Sequence, residues 1–320
     1  MDSITVKFVD FWPTFDRQAN PFVRALSQRY QVEVIPSDSP IAADLLFYSR
    51  CGNKQFLREP ESSIRIYYTG ENDVPDFNCC DYALSFHRLD FGPRHMRFPL
   101  YLLYEYDEAL NPPSLTDDEA LSRDFCSVVL RNANNCDPRR IAIIDAIGQY
   151  KPLAYGGPWR NNVGAPVEEK IPFIKDYKFN LALENSDVPG YVTEKIVEPF
   201  AAPTVPIYWG TADVVRDFNP AAFINAADFP SISSLMDEIK RLDSSPADYL
   251  EMLRAPRLTA DTRIDYDERL ADFLCSIAST RRRFITPYGE QGRLISLARN
   301  IAPIENSPIL FRLLRRISKL

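Results

Sequence analysis

The stretch Tyr177–Gly210, YKFNLALENSDVPGYVTEKIVEPFAAPTVPIYWG, constrains the fold of this chain more than any other, because strand, loop, helix and strand follow one another within it. Phe179, Leu181 and Leu183 alternate with polar or small residues as a short strand does, and Glu184, Asn185 and Ser186 then break the run with three hydrogen-bonding side chains. Beyond Asp187-Val188-Pro189-Gly190, the residues from Tyr191 to Lys195 open a helix whose Ile196, Val197 and Phe200 face inward. Pro203 and Pro206 stop that helix, and Val205–Gly210 reads as the next strand. A βαβ unit of this kind holds ligands beyond the carboxyl ends of its strands, here at Glu184–Glu194.

The rest of the chain repeats the rhythm. Ile4–Phe11, Gln31–Ile35, Asp44–Tyr48, Ile64–Tyr68 and Tyr82–Phe86 read as strands, with an amphipathic helix over Asn20–Tyr30, which predicts an open, mostly parallel sheet. From about Tyr101 to Arg123 the pattern lapses into acidic and proline-containing sequence, as in a surface connection. A second alternation follows: a strand at Phe125–Leu130, a helix over Asp137–Gly148, a strand at Pro152–Tyr155, the Tyr177–Gly210 unit, Phe223–Asn225 and a helix over Ile232–Leu242. With 320 residues, 45% of them hydrophobic, two cores can be filled. The expectation is an α/β chain of two Rossmann-like domains facing each other across a cleft, 1–124 and 125–270, with 271–320 as helices returning to the first domain plus a basic tail.

A net charge of -7 and a pI near 5.1 exclude a phosphate-backbone partner, so no nucleic acid is expected. The balance is uneven, because residues 281–320 hold nine Lys or Arg against Glu290 and Glu305. In 306–320, Leu310, Leu313, Leu314, Ile317 and Leu320 share one helical face and Arg312, Arg315, Arg316 and Lys319 the other, the pattern of a peripheral membrane helix or of a helix docked on the body. Six cysteines without a C-x-x-C pair and two histidines argue for reduced thiols rather than a disulfide framework or zinc site. The N-terminus enters a strand pattern directly and no apolar run approaches membrane-spanning length, so the expected location is cytoplasmic, on or near the inner membrane face.

Arg160 follows a Gly-Gly turn and Lys195 lies in a helix's first turn, both at loop edges where a diphosphate could rest on cations and backbone N–H groups. Glu194 could accept from ribose hydroxyls, and Asn185 and Tyr191 bring further polar groups to the same loop; an ordinary solvated helix start is the alternative reading. Glu71, past the end of the Ile64–Tyr68 strand, is placed either as a general base or as a turn cap. His87 and His95 read as structural or surface residues, and Asp265-Tyr266-Asp267 as solvated helix surface rather than a metal site. No Walker A, G-x-G-x-x-G, G-x-S-x-G or H-E-x-x-H occurs.

The Glu184–Ile196 segment followed by Pro206-Ile207-Tyr208-Trp209-Gly210 resembles the signature of α1,3/4-fucosyltransferases, glycosyltransferase family 10, especially the bacterial Lewis-antigen type. Tyr68–Asn72, Leu89–Phe91 with Arg97-x-Pro99-Leu100-Tyr101, Gly156–Asn161, and Asp217–Pro220 with Phe223-x-Asn225 are similar to that family in the same order, over roughly Val6–Thr280. Asp187-Val188-Pro189 and the insert around Leu103–Asp124 depart from it. The resemblance implies a GT-B fold, GDP-β-L-fucose as donor and inverting transfer to an N-acetylglucosamine-containing glycan. It implies Glu71 as general base, Arg160 and Lys195 as cations on the leaving diphosphate, Asn185 and Tyr191 as hydrogen-bond donors to phosphate, and Glu194 as the ribose acceptor. No metal ligand or strictly required cofactor is implied, a divalent cation being at most stimulatory. A non-catalytic nucleotide-sugar or glycan-binding protein, or a transferase of the same fold using another nucleotide sugar, are the alternatives.

Overall fold

The computed structural model describes residues 2–285 except 105 and 135; the predicted 306–320 amphipathic helix lies outside the described residues. The described residues form two compact units, one of 2–85, 89–98 and 265–285, the other of 86–88 and 99–264. The first is built on a parallel six-stranded sheet of β1 (Asp2–Val9), β2 (Tyr30–Ile35), β3 (Leu45–Tyr48), β4 (Ile64–Thr69), β5 (Tyr82–Ser85) and β6 (His95–Arg97), in the order β2-β1-β3-β4-β5-β6. On one face of β1, Ile4, Val6 and Phe8 are buried, and Phe8 stacks on Phe47 of β3 at 5.0 Å. Phe22 of the helix Pro21–Ser27 closes the cluster, 5.3 Å from Phe47. Asn20 caps that helix by accepting the Val23 N–H.

The second unit carries a parallel five-stranded sheet of β7 (Asp124–Val128), β8 (Leu153–Tyr155), β9 (Tyr177–Leu183), β10 (Val205–Trp209) and β11 (Ile224–Asn225), in the order β11-β10-β9-β7-β8. Side-chain alternation divides its core in two. Phe179, Leu181, Leu183, Val205, Ile207 and Trp209 pack with Ile143, Ile144 and Ile147 of the helix Pro138–Tyr150 and Leu235 and Ile239 of the helix Ile232–Ser244. On the opposite face, Ala182 and Tyr208 pack with Ile196, Val197 and Phe200 of the helix Glu194–Ala201. In both sheets the strand order reverses beside the first strand, between β1 and β3 and between β7 and β9, the arrangement that opens a ligand crevice at the carboxyl ends.

The boundary expected near residue 124 is corrected. Residues 99–124 belong to the second unit, because Tyr101 and Ala109 bury into the cluster around Phe200 and Phe218, and Ala120 into the core beneath β7. The supposed surface connection contains two short helices, Tyr106–Leu110 and Asp117–Leu121, the second opened by a Thr116–Glu119 capping box. The helix Tyr266–Thr280, with Asp265 as its cap, returns to the first unit, where its Cys275 thiol lies 3.8 Å from the Ala25 carbonyl of the first helix. Among the described residues, no helix is long and apolar enough to cross a membrane.

Candidate active site

Glu184 follows Leu183 at the carboxyl end of β9, and strand alternation directs it to the face covered by the helix Glu194–Ala201. It is completely buried. Its Oε1 accepts the Thr193 N–H at 2.7 Å, and the Thr193 hydroxyl lies 2.9 and 2.8 Å from its two carboxylate oxygens. That hydroxyl, at the helix N-cap, is thereby spent on Glu184 instead of on the helix, and it accepts from Lys195 Nζ at 3.0 Å. Lys195 Nζ completes the cluster 3.2 Å from Glu184 Oε2 and 3.6 Å from Glu194 Oε1. Burial pulls the Lys195 ammonium down, but the Glu184 and Glu194 carboxylates outweigh it and hold the ammonium well above its ordinary range. Burial pushes the Glu184 carboxyl up despite Lys195, whereas Glu194 lies below its ordinary value because Lys195 and Lys170 overcome its desolvation. The lysine is therefore fixed in its charged form with part of its surface still open.

Gly210 stands across from Glu184 at the end of β10, where a Cβ would meet Glu184 Cγ at 2.7 Å and Tyr208 Oη at 2.6 Å. Only glycine leaves room for that carboxylate. Asn185, next along, is exposed, with its Oδ1 accepting from Arg140 Nη1 at 2.8 Å and its carbonyl accepting the Asp137 N–H at 3.2 Å. Tyr191 is buried, its ring edge-on to Phe86 at 5.0 Å, and Gly190 before it turns through a φ of +81°.

Asn185, Tyr191, Glu194 and Lys195 thus gather on one loop and helix start at the switch point of the second sheet. Arg160 does not join their hydrogen bonds. It lies half-exposed on the loop after β8, paired with Asp145 of the helix Pro138–Tyr150 and stacked on Trp159 at 4.2 Å, with a left-handed φ of +54°. Glu71 lies past the carboxyl end of β4 in the first unit, an exposed carboxylate on a turn in which the Thr69 hydroxyl accepts its N–H at 3.1 Å. His95 is held by Ser85 at 2.9 Å, and His87 stacks on Phe86. Among the described residues, no group of three or more His, Cys, Asp or Glu side chains is placed to hold a metal.

Neither Arg140 nor the part Glu184 plays in holding Lys195 was drawn from the sequence. The signal for Arg140 lies in its spacing: it is buried in the same stripe as Ile143, Ile144 and Ile147, a charge where a helix should be apolar. That for Glu184 was a carboxylate closing an otherwise apolar strand.

Two family models match the chain, the alpha-(1,3)-fucosyltransferase FucT N-terminal domain over residues 6–104 and the glycosyltransferase family 10 (fucosyltransferase) C-terminal domain over 123–280. The chain belongs to glycosyltransferase family 10. It is 35% identical over 280 residues to the alpha-(1,3)-fucosyltransferase FucT of Helicobacter pylori, covering 77% of this chain and 58% of that protein. Over 78 residues it is 40% identical to an alpha-(1,4)-fucosyltransferase of Arabidopsis thaliana, 24% of this chain and 20% of the other. A crystal structure of an alpha1,3-fucosyltransferase with GDP-fucose superposes with a TM-score of 0.75 at 31% identity, covering 89% of this chain and 93% of that one. The family 10 chain spans little more than half the length of the Helicobacter relative. Its two parallel sheets flanked by helices are the α/β arrangement of the GT-B type.

Proposed function

We propose that this family 10 member is an inverting α1,3-fucosyltransferase that moves L-fucose from GDP-β-L-fucose to a hydroxyl of N-acetylglucosamine in a lactosamine-type glycan. The observation that carries this reading is the Glu184–Thr193–Lys195 cluster beside Asn185 at the switch point of the second sheet. It offers a fixed cation and a side-chain amide, the kinds of group that stabilise a leaving diphosphate. The 31% identical relative crystallised with GDP-fucose supports the donor, and the longer match to an α1,3-named relative than to an α1,4-named one supports the linkage.

In this reaction the acceptor hydroxyl gives its proton to Glu71 and its oxygen attacks the fucose C1 from the face opposite the nucleotide. The bond from C1 to the β-phosphate oxygen breaks, GDP departs with the electron pair, and the β configuration of the donor becomes α in the product. Lys195 and Arg160 balance the charge that grows on the diphosphate, Asn185 and Tyr191 hydrogen-bond its oxygens, and Glu194 accepts from ribose hydroxyls. A divalent cation would at most assist. The tail 306–320 is proposed as a peripheral contact with the inner face of a bacterial cytoplasmic membrane.

The test is transfer from labelled GDP-fucose to type 1 and type 2 lactosamine acceptors. Glu71→Gln is expected to lower kcat by ~10²–10⁴-fold, the contribution of a positioned general base, while leaving GDP binding within about two-fold. Unchanged transfer in that variant would remove Glu71 from the role. A wild-type chain that binds GDP-fucose and transfers nothing would favour the binding-protein alternative.

A further inference from the structure

We propose that Arg140 is a positioning residue for the donor diphosphate and acts through the side-chain amide of Asn185. The inference rests on the donor-site reading above and adds a residue that no sequence motif named.

The first turn of the helix Pro138–Tyr150 grips Asn185 twice, the Asp137 N–H donating to its backbone carbonyl and Arg140 Nη1 to its side-chain Oδ1. These contacts join the loop after β7 to the loop after β9, the two strands between which the order of the sheet reverses. A guanidinium can only donate. The Asn185 amide is therefore locked with its oxygen toward Arg140 and its NH₂ group turned away, on a residue whose side chain is otherwise exposed. Phosphate oxygens only accept, so this orientation, and not its flipped alternative, presents donors to a diphosphate.

Arg140 is an expensive way to hold an amide unless the orientation matters. The side chain is almost wholly buried, and its Nε is buried without a hydrogen-bond partner. The groups around it are Cys136, Glu184 and Tyr191, of which Glu184 is the carboxylate that also fixes Lys195. Arg140 and Lys195 are thus two cations set around one buried acid, the first orienting an amide and the second facing the ligand.

A double-mutant cycle read by calorimetric titration of GDP into the full chain tests this. Losing the Asn185 donors in N185A is expected to weaken GDP by ~10-fold, one hydrogen bond to a charged group. R140M should cost a similar factor by freeing the amide to flip, and the double variant should bind no more than about two-fold worse than N185A. R140K, which keeps a donor opposite Oδ1, should recover most of the affinity, a rescue that lost packing alone would not give. R140L, which also lacks a donor, serves in the cycle if R140M does not fold. The proposal is overturned if R140M keeps its full cost in the N185A background, or if N185A leaves GDP binding unchanged. Failure of the underlying donor-site reading looks different, because the wild-type chain would then take up no GDP at all.

Discussion

Replacing Lys195 with methionine separates what this side chain does for folding from its proposed role at the donor. The ammonium lies 3.2 Å from Glu184 Oε2, and that carboxylate is wholly buried. At an effective dielectric of about 20 the pair is worth roughly 5 kcal/mol of attraction, most of it offset by the desolvation of both groups. Removing this cation leaves the acid buried with Thr193 as its remaining hydrogen-bond partner and Arg140 as the other cation around it, which costs ~3–5 kcal/mol. At about 2–4 °C per kcal/mol for a unit of this size, thermal unfolding should begin on the order of 10 °C earlier. The deficit should depend on pH. Burial already raises Glu184, and without Lys195 it rises further, so the native variant holds a proton that its unfolded chain releases. Stability then falls as pH rises through and above the ordinary carboxylate range, and the gap to wild type widens from pH 5 to 8. The double variant Glu184→Gln/Lys195→Met, with neither charge, should regain most of the stability and none of the GDP affinity. Calorimetric melts at pH 5, 6, 7 and 8 check this. A gap that does not change with pH, or a double variant as unstable as the single one, would refute an orphaned buried carboxylate as the cause.

Burial pushes Glu198, on the same helix, from 4.5 to about 7, with Glu194 adding to the shift and the Lys170 ammonium 2.6 Å away opposing it. The folded carboxyl thus keeps its proton where the unfolded one has lost it, so this group makes stability decline as pH climbs from about 4.5 to about 7. Glu198→Gln should flatten that decline by ~1–3 kcal/mol, measured as the difference between melts at either end of the window. Gly210→Ala puts a methyl group against Glu184 Cγ and Tyr208 Oη. It should cost ~1–3 kcal/mol by overpacking, and weaken GDP by displacing the carboxylate that aligns Lys195; a variant with wild-type melting and GDP titration would contradict the fit.

The strands of both sheets were legible because alternation and turn residues report local geometry directly. The short β6, His95–Arg97, was not, since three residues including two charged or polar ones carry no period. The acidic segment after Tyr101 read as a connection because its proline and aspartate content is local, while what places it is distant: Tyr101 meets Phe218 and Ala109 joins the same cluster. The same contrast holds at the site. Asn185, Tyr191, Glu194 and Lys195 stand close together in sequence and were found together. Arg140 reaches Asn185 across 45 positions, a distance over which spacing says nothing. Arg160 illustrates the converse, because an arginine shortly after a Gly-Gly turn near a strand end is visible in the sequence, but its pairing with Asp145 is not.

The first unit is assembled from both ends of the described chain, with the helix Tyr266–Thr280 packed on the helix Pro21–Ser27 and Arg29 paired to Asp272. During synthesis, the six strands of that unit emerge long before the helix that covers them. At ~5–20 residues per second, the ribosome takes on the order of 10–40 s to produce the intervening second unit. Through that interval the helix Pro21–Ser27 waits without the Cys275 thiol that meets its Ala25 carbonyl, and Arg29 without Asp272. The unit begun first is thus completed after the second, which leaves the face of its first helix to solvent or a chaperone while the second unit folds.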